Sequence, residues 1–187
     1  ADVIMVRTAL AQFFGLNIVV LPRVALPKSA YFAPRKRYRA DKLLDFLKAK
    51  KPKNAFRILG LTAADISTTK GAVYDWGILG LATVDGTSCV ISSFRTKRRS
   101  SGPLHARERL SKVAVHEIGH TLGLAHCPTV GCLMEDAKGS VLTSDGEYDL
   151  CSTCRETLKG RGYALPTAPK VPWSKPPGYL SPSPNAP

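Results

Sequence analysis

Apolar residues recur with helical spacing in some stretches of this chain and with strand-like density in others. Val3, Val6, Leu10, Phe13 and Phe14 mark one side of a predicted helix that Asp2 caps and Gly15 ends. Asn17–Leu21, rich in β-branched residues, reads as a buried strand. Pro22, Pro27 and Pro34 then make 22–38 an irregular connection. Ala40–Lys50 is predicted helical, with Leu43, Leu44 and Leu47 on one face and Lys42, Lys48 and Lys50 off it. Phe56–Leu61, Gly77–Thr83 and Ser88–Ser93 are predicted strands, and the Asp85-Gly86 pair turns the last two into a hairpin. Leu104–Leu122 reads as one long helix that starts after Pro103 and stops at Gly123. A short helix is expected near Asp149–Lys159. Helices among the early strands and a hairpin after them predict an α+β fold, a mixed sheet packed on helices.

From Gly160 onward the pattern is lost. Eight of the 28 residues from 160 to 187 are proline, so the segment is expected to be extended. It reads either as a ligand for a proline-recognising domain or as a tail draped on its own body through Trp173 and Tyr179. The whole chain has 187 residues, 44% of them hydrophobic and 22% charged, values of an ordinary globular domain. No apolar run approaches the ~20 residues of a membrane helix. The apolar start is broken by Arg7, Gln12 and Asn17, and no membrane partner is expected.

Charge changes the picture more than composition does. The net charge is +13, with ten basic residues in 28–53 and a second basic run at Arg95, Lys97, Arg98 and Arg99. The stretch 135–149 reverses the sign, with Glu135, Asp136, Asp145, Glu147 and Asp149 against Lys138 alone. Acidic substrates, nucleic acid or simple solubility all fit a basic surface. Few aromatic residues interleave the basic runs, so a nucleic-acid partner stays open but unsupported.

The chemistry centres on His116-Glu117-Ile118-Gly119-His120-Thr121-Leu122-Gly123-Leu124-Ala125-His126. Four residues apart on a helix, His116 and His120 face the same way and can share one zinc ion. Gly123 can take positive φ, ending the helix and returning the chain so that His126 supplies a third ligand. Three ligands leave a position open for water, the pattern of a catalytic zinc. Glu117 would point toward that water as general base. Five fixed residues recur by chance with a frequency on the order of 10⁻⁷ per start, too rare for coincidence here. Cys127, Cys132, Cys151 and Cys154 form two close pairs with the spacing of a structural Cys₄ zinc. Two disulfides, or a redox-active Cys-x-x-Cys, are the competing readings. Cys89, inside a predicted strand, reads as a buried apolar residue, and His105 is given no role.

The His-Glu-x-x-His-x-x-Gly-x-x-His element followed by Met134 has the metzincin signature, with Met134 as the Met-turn. Adding Cys127, Cys132 and the downstream Cys-x-x-Cys, the chain resembles the archaemetzincin family over roughly residues 13–160. The segments Ala30-Tyr31, Pro34-Arg35, Tyr38 and Leu59–Ile66 are similar to that family's early segments, whereas Thr69–Gly80 and the Arg95–Arg99 run match its pattern poorly. The resemblance implies a zincin-like (metzincin) domain: a twisted mixed β-sheet, a backing helix, an active-site helix and a small Cys-clamped C-terminal subdomain. A single domain is expected over 1–160, its upper part about 1–123 and its lower part about 124–160, with 161–187 as the Pro-rich extended tail. Two zinc ions per chain, one catalytic and one structural, a peptide or protein substrate, a monomer and a cytoplasmic location (for reduced thiols) complete the expectation. By analogy Ser88–Phe94 is the edge strand that would hold the peptide, with Arg95–Arg99 as a basic rim favouring acidic peptides. The substrate-binding residues are otherwise unknown. The rival expectation is a zinc-stabilised binding module with a basic surface and an idle or latent catalytic site.

Overall fold

The computed structural model describes residues 1–167, 169–179, 181 and 182. Masses of apolar side chains on α1 (Asp2–Phe14) explain its place: Val6, Ala9, Leu10, Phe13 and Phe14 are buried, and Gly15 ends it at φ 68°. Asn17–Leu21 is not a strand. Leu16 and Ile18 lean on the core while Val19 and Val20 stand exposed, and the segment pairs with no neighbour. Its β-branched residues favour extended backbone, but a strand also needs a partner edge, and none adjoins it. Two short 3-10 turns, Lys28–Ala30 and Ala33–Arg35, flank β1 (Tyr31–Phe32). Then come β2 (Arg37–Arg39) and α2 (Ala40–Lys50), the latter with the predicted bounds.

The strands form two mixed sheets. In the three-stranded one, β7 (Ser88–Ser92) lies between β3 (Ile58–Thr62) and β6 (Gly80–Ala82), parallel to the first and antiparallel to the second. Every residue of β7 is buried, as a small, apolar central strand requires. In the other sheet, β4 (Ile66–Lys70) sits between β2 and β5 (Val73–Ile78), with β1 at the far side. The predicted strand 77–83 is therefore divided: its first residues belong to β5 and its last to β6, with Leu79 between. The Leu79 carbonyl still accepts from Ser92 at 2.8 Å. The turn 83–87 joins β6 and β7 as the Asp-Gly signal requires, with Asp85 at φ 57°.

After a short helix, α3 (Ser93–Thr96), the 19-residue α4 (Pro103–Thr121) runs through the core, buried along most of its length. It packs between α1 and the three-stranded sheet. A smaller apolar cluster, Ala30, Ala40, Leu43, Ile66 and Val90, fixes α2 against the sheets. The chain finishes with α5 (Thr143–Gly146), α6 (Ser152–Gly160) and an irregular segment. That segment is held down: Trp173 is buried and donates to the Tyr148 carbonyl at 3.1 Å, and Tyr179 packs on the Tyr148 ring. Residues 168, 180 and 183–187 of the expected tail lie outside the described residues. None of the described helices is long and apolar enough to cross a membrane.

Candidate active site

The last turns of α4 carry His116, Glu117 and His120. Beyond them Gly123 takes φ 99°, which only glycine adopts without strain, and Leu124 donates back to the Gly119 carbonyl at 3.0 Å. The turn is closed from three remote places. Arg57 donates to the Thr121 carbonyl, the Asp85 N–H to that of His120, and Arg161 to that of Leu122. Carbonyls that a helix end leaves unpaired are thus all served. The chain then delivers His126, whose ring centroid lies 5.4 Å from that of His116 and 4.8 Å from that of His120.

The orientation of the rings tests whether a metal fits. His116 Nδ1 donates to the Leu133 carbonyl and His120 Nδ1 to the Leu124 carbonyl, each at 2.7 Å. A carbonyl oxygen only accepts, so both Nδ1 atoms carry the proton and both Nε2 atoms present a lone pair. These two Nε2 atoms stand 3.0 Å apart. Two facing lone pairs at that distance repel unless a cation lies between them. A ligand–metal distance of ~2.0–2.1 Å in a tetrahedral site places ligand nitrogens roughly 3.3 Å apart. Burial, and then the neighbouring His120, hold His116 down to about 3, and burial also lowers His120, so both rings are neutral donors. The donor set fits zinc.

Glu117 is buried, and its carboxylate packs against Gly80 at the edge of the three-stranded sheet. Desolvation pushes its carboxyl up to about 8. Below the histidines lies Met134, wholly buried, with its sulfur against the bare backbone of Gly119.

The four cysteines gather in the lower part, all buried and all free thiols. Cys127 Sγ lies 3.6 Å from Cys151 Sγ, and Cys132 Sγ 3.8 Å from Cys154 Sγ, far beyond the ~2.05 Å of a disulfide. Four sulfurs about 2.3 Å from a tetrahedral ion would be roughly 3.8 Å apart. Backbone N–H groups of Cys151 and Thr129 donate to Cys132 and Cys127 sulfurs, as thiolates require. The hydrogen bond between Cys132 and Cys154 pulls the Cys132 thiol down to about 6. This donor set too fits zinc. The two groups of ligands are neighbours in the chain: Cys127 follows His126 and donates its N–H to the Met134 carbonyl at 2.7 Å.

A cleft of about 490 Å³ opens above the histidines. Gly80–Ala82 form its upper border, so the sheet edge here is β6; Ser88–Phe94 is not the edge, because β7 pairs on both sides. The run Arg95–Arg99 does not line the cleft either. Arg95 forms a two-pronged ion pair with Asp65 (2.7 and 2.9 Å), and the carbonyls of Arg98 and Arg99 accept from the buried Arg109 guanidinium. Lys70 is the cationic side chain on the wall, against the carboxylates of Glu117, Glu135, Asp136 and Glu147. Sequence reasoning assigned no role to Lys70, Trp76, Gly80 or Glu147. Only the acid-rich stretch 135–149 hinted at the last.

Comparison with known proteins agrees with this geometry. The sequence model of Peptidase family M54 matches residues 5–160. The archaemetzincin of Halobacterium salinarum is 29% identical over 158 residues, covering 81% of this chain and 88% of that protein. That of Archaeoglobus fulgidus is 34% identical over 152 residues, covering 81% and 86%. The crystal structure of archaemetzincin from Methanopyrus kandleri superposes with a TM-score of 0.74 at 32% identity, covering 86% of this chain and 85% of that one. The Archaeoglobus fulgidus crystal structure, a complex with malonate, gives 0.69 at 31%, covering 83% and 90%. Agreement of this extent, in sequence and in backbone alike, places the chain in peptidase family M54, among the archaemetzincin zinc metallopeptidases.

Proposed function

We propose that His116, His120 and His126 hold a catalytic zinc, that Cys127, Cys132, Cys151 and Cys154 hold a structural one, and that Glu117 is the general base and acid of peptide hydrolysis. The observation that carries this reading is the convergence of three imidazoles and the buried Glu117 carboxylate on the lining of a single cleft. Zinc bound by three side chains supplies a Lewis acid that polarises the scissile carbonyl and acidifies water toward a pKa of ~7.

The chain's own residues supply the rest. An extended peptide lies along the β6 edge, where backbone groups of Gly80–Ala82 pair with it as an added strand. Glu117 takes the proton of the attacking water on its carboxylate and returns it to the departing amine. Its raised pKa suits that exchange, since a carboxyl near neutrality both accepts and releases a proton. Leu133 and Leu124 fix the two helical imidazoles through their carbonyls, and Met134 closes the floor beneath them. Residues 1–160 act as one domain on this reading, with 1–123 above the cleft and 124–160 clamped by the thiols below. A compartment that keeps thiols reduced, the cytoplasm, suits the Cys₄ site.

The test is metal content together with cleavage. Wild type and Glu117→Gln should each hold two zinc ions per chain by plasma mass spectrometry, and Cys132→Ser should lose the structural one. In a diverse peptide library read by mass spectrometry, cuts should come from wild type alone, and their positions separate end-trimming from internal cleavage. Equal cleavage by Glu117→Gln would overturn its role.

A further inference from the structure

This inference rests on the cleft being the peptidase active site and concerns what it selects. One wall of the cleft is formed by Val113, one helical turn before His116, with Ala137, Ser144 and Glu147 beside it. Glu147 is only 5% exposed. Among the described residues its carboxylate makes no hydrogen bond and no ion pair within 4 Å.

Apart from Glu117, which the proposed mechanism uses, the acidic groups nearby are committed. Glu135 accepts from the Gly131 N–H at 2.8 Å, and Asp136 from the Lys138 N–H at 2.8 Å. Asp145 is taken by Arg109 and His105. Lys112 acts on Glu147 through space but makes no ion pair with it: its Nζ donates to the Ser144 carbonyl at 2.8 Å and sits over the Tyr148 ring. Glu147 is thus held in the cleft lining with neither a hydrogen bond nor an ion pair to its carboxylate. A buried carboxylate without a partner is costly to keep, and a cationic group from outside would remove that cost. Val113 and Ala137 give the same cleft lining apolar surface beside the carboxylate. Apolar surface together with an unpaired carboxylate matches an aliphatic stem tipped by an ammonium or guanidinium.

We infer that this wall is a subsite for a lysine or arginine side chain of the substrate, with Glu147 as its specificity-determining residue. The cleft is acidic on a protein whose net charge is +13, so preference for a basic side chain is written in the cleft and not in the outer surface. This is opposite in sign to a preference drawn from the Arg95–Arg99 run.

Library cleavage by wild type should show Lys and Arg enriched at one position relative to the cut. In matched peptides differing only there, kcat/KM for Lys over Leu should be about tenfold or more, the scale of a hydrogen bond to a charged group. Glu147→Gln should bring the ratio near one, and Glu147→Lys should favour Glu. Cleavage by wild type with no basic preference overturns the subsite and leaves the peptidase reading intact. A second arm needs no turnover: n-butylguanidinium, the arginine tip alone, is titrated into zinc-loaded wild type and Glu147→Gln by NMR. Weaker binding to the variant supports the subsite even if no peptide is cut, and equal binding overturns it.

Discussion

The carboxylate of Glu117 lies so close to Gly80 that a Cβ added there would stand 2.5 Å from Oε1. The edge strand thus sets where the Glu117 carboxylate can be, and it does so by lacking a side chain. Gly80→Ala should push the carboxylate aside while leaving the histidines alone. A misplacement of about 1 Å costs on the order of 10²-fold in rate. Steady-state kinetics should show that loss in kcat with zinc content unchanged, and an unaltered kcat would show that the contact does not position Glu117.

A second glycine is tied to Met134. A Cβ on Gly119 would meet the Met134 sulfur at 2.6 Å. Overpacking of this kind costs about 1–3 kcal/mol, and Met134→Ala alone about 2–5 kcal/mol through the cavity it leaves. Because the second change makes room for the first, the double variant should be less destabilised than the sum by at least ~0.5 kcal/mol. Denaturant midpoints of the four proteins measure the coupling, and strict additivity would show that the methionine does not press on the helix.

Glu147 and Lys112 pull stability in opposite directions with pH. Burial raises Glu147 to about 8, so the folded protein holds a proton that the unfolded chain has released. Its contribution is fully present below its ordinary pKa near 4.5 and is lost as pH climbs to about 8. Burial lowers Lys112 to about 8, so here the unfolded chain holds more protons, and stability recovers between about 8 and 10.5. Thermal unfolding of Glu147→Gln against wild type should therefore show the variant gaining relative stability from pH 5 to 8. A difference that is flat with pH would refute the buried, unpaired state of this carboxylate.

What the sequence disclosed and what it hid divide along local and non-local causes. Helices α2 and α4 were legible because leucine spacing, Pro103 and Gly123 act within the helix itself. The His and Cys sets were legible because ligand spacing is a short-range requirement. Asn17–Leu21 misled because extended backbone is a local preference, whereas pairing is not. Strand β4 and the first part of β5 escaped notice because Ser67-Thr68-Thr69-Lys70 has little apolar character, and their hairpin is held partly by Arg37 and Arg39 reaching Asp75 and Thr69. Ser88–Phe94 was taken for an edge because a central and an edge strand differ only in neighbours. For Glu147 the acid-rich stretch 135–149 was only a hint, since the cleft lining it shares with Val113 exists only after α5 docks on α4.

The closing of the active-site helix by Arg57, Asp85 and Arg161 bears on the order in which the enzyme comes to life. The thiol quartet gathers within one short stretch, from Cys127 to Cys154. The histidine trio depends on a turn completed by donors from the sheet, the hairpin and the end of α6. Until Arg161 is in place, the turn that delivers His126 lacks its donor to the Leu122 carbonyl, so a chain cut short of α6 leaves the histidine trio without part of its frame.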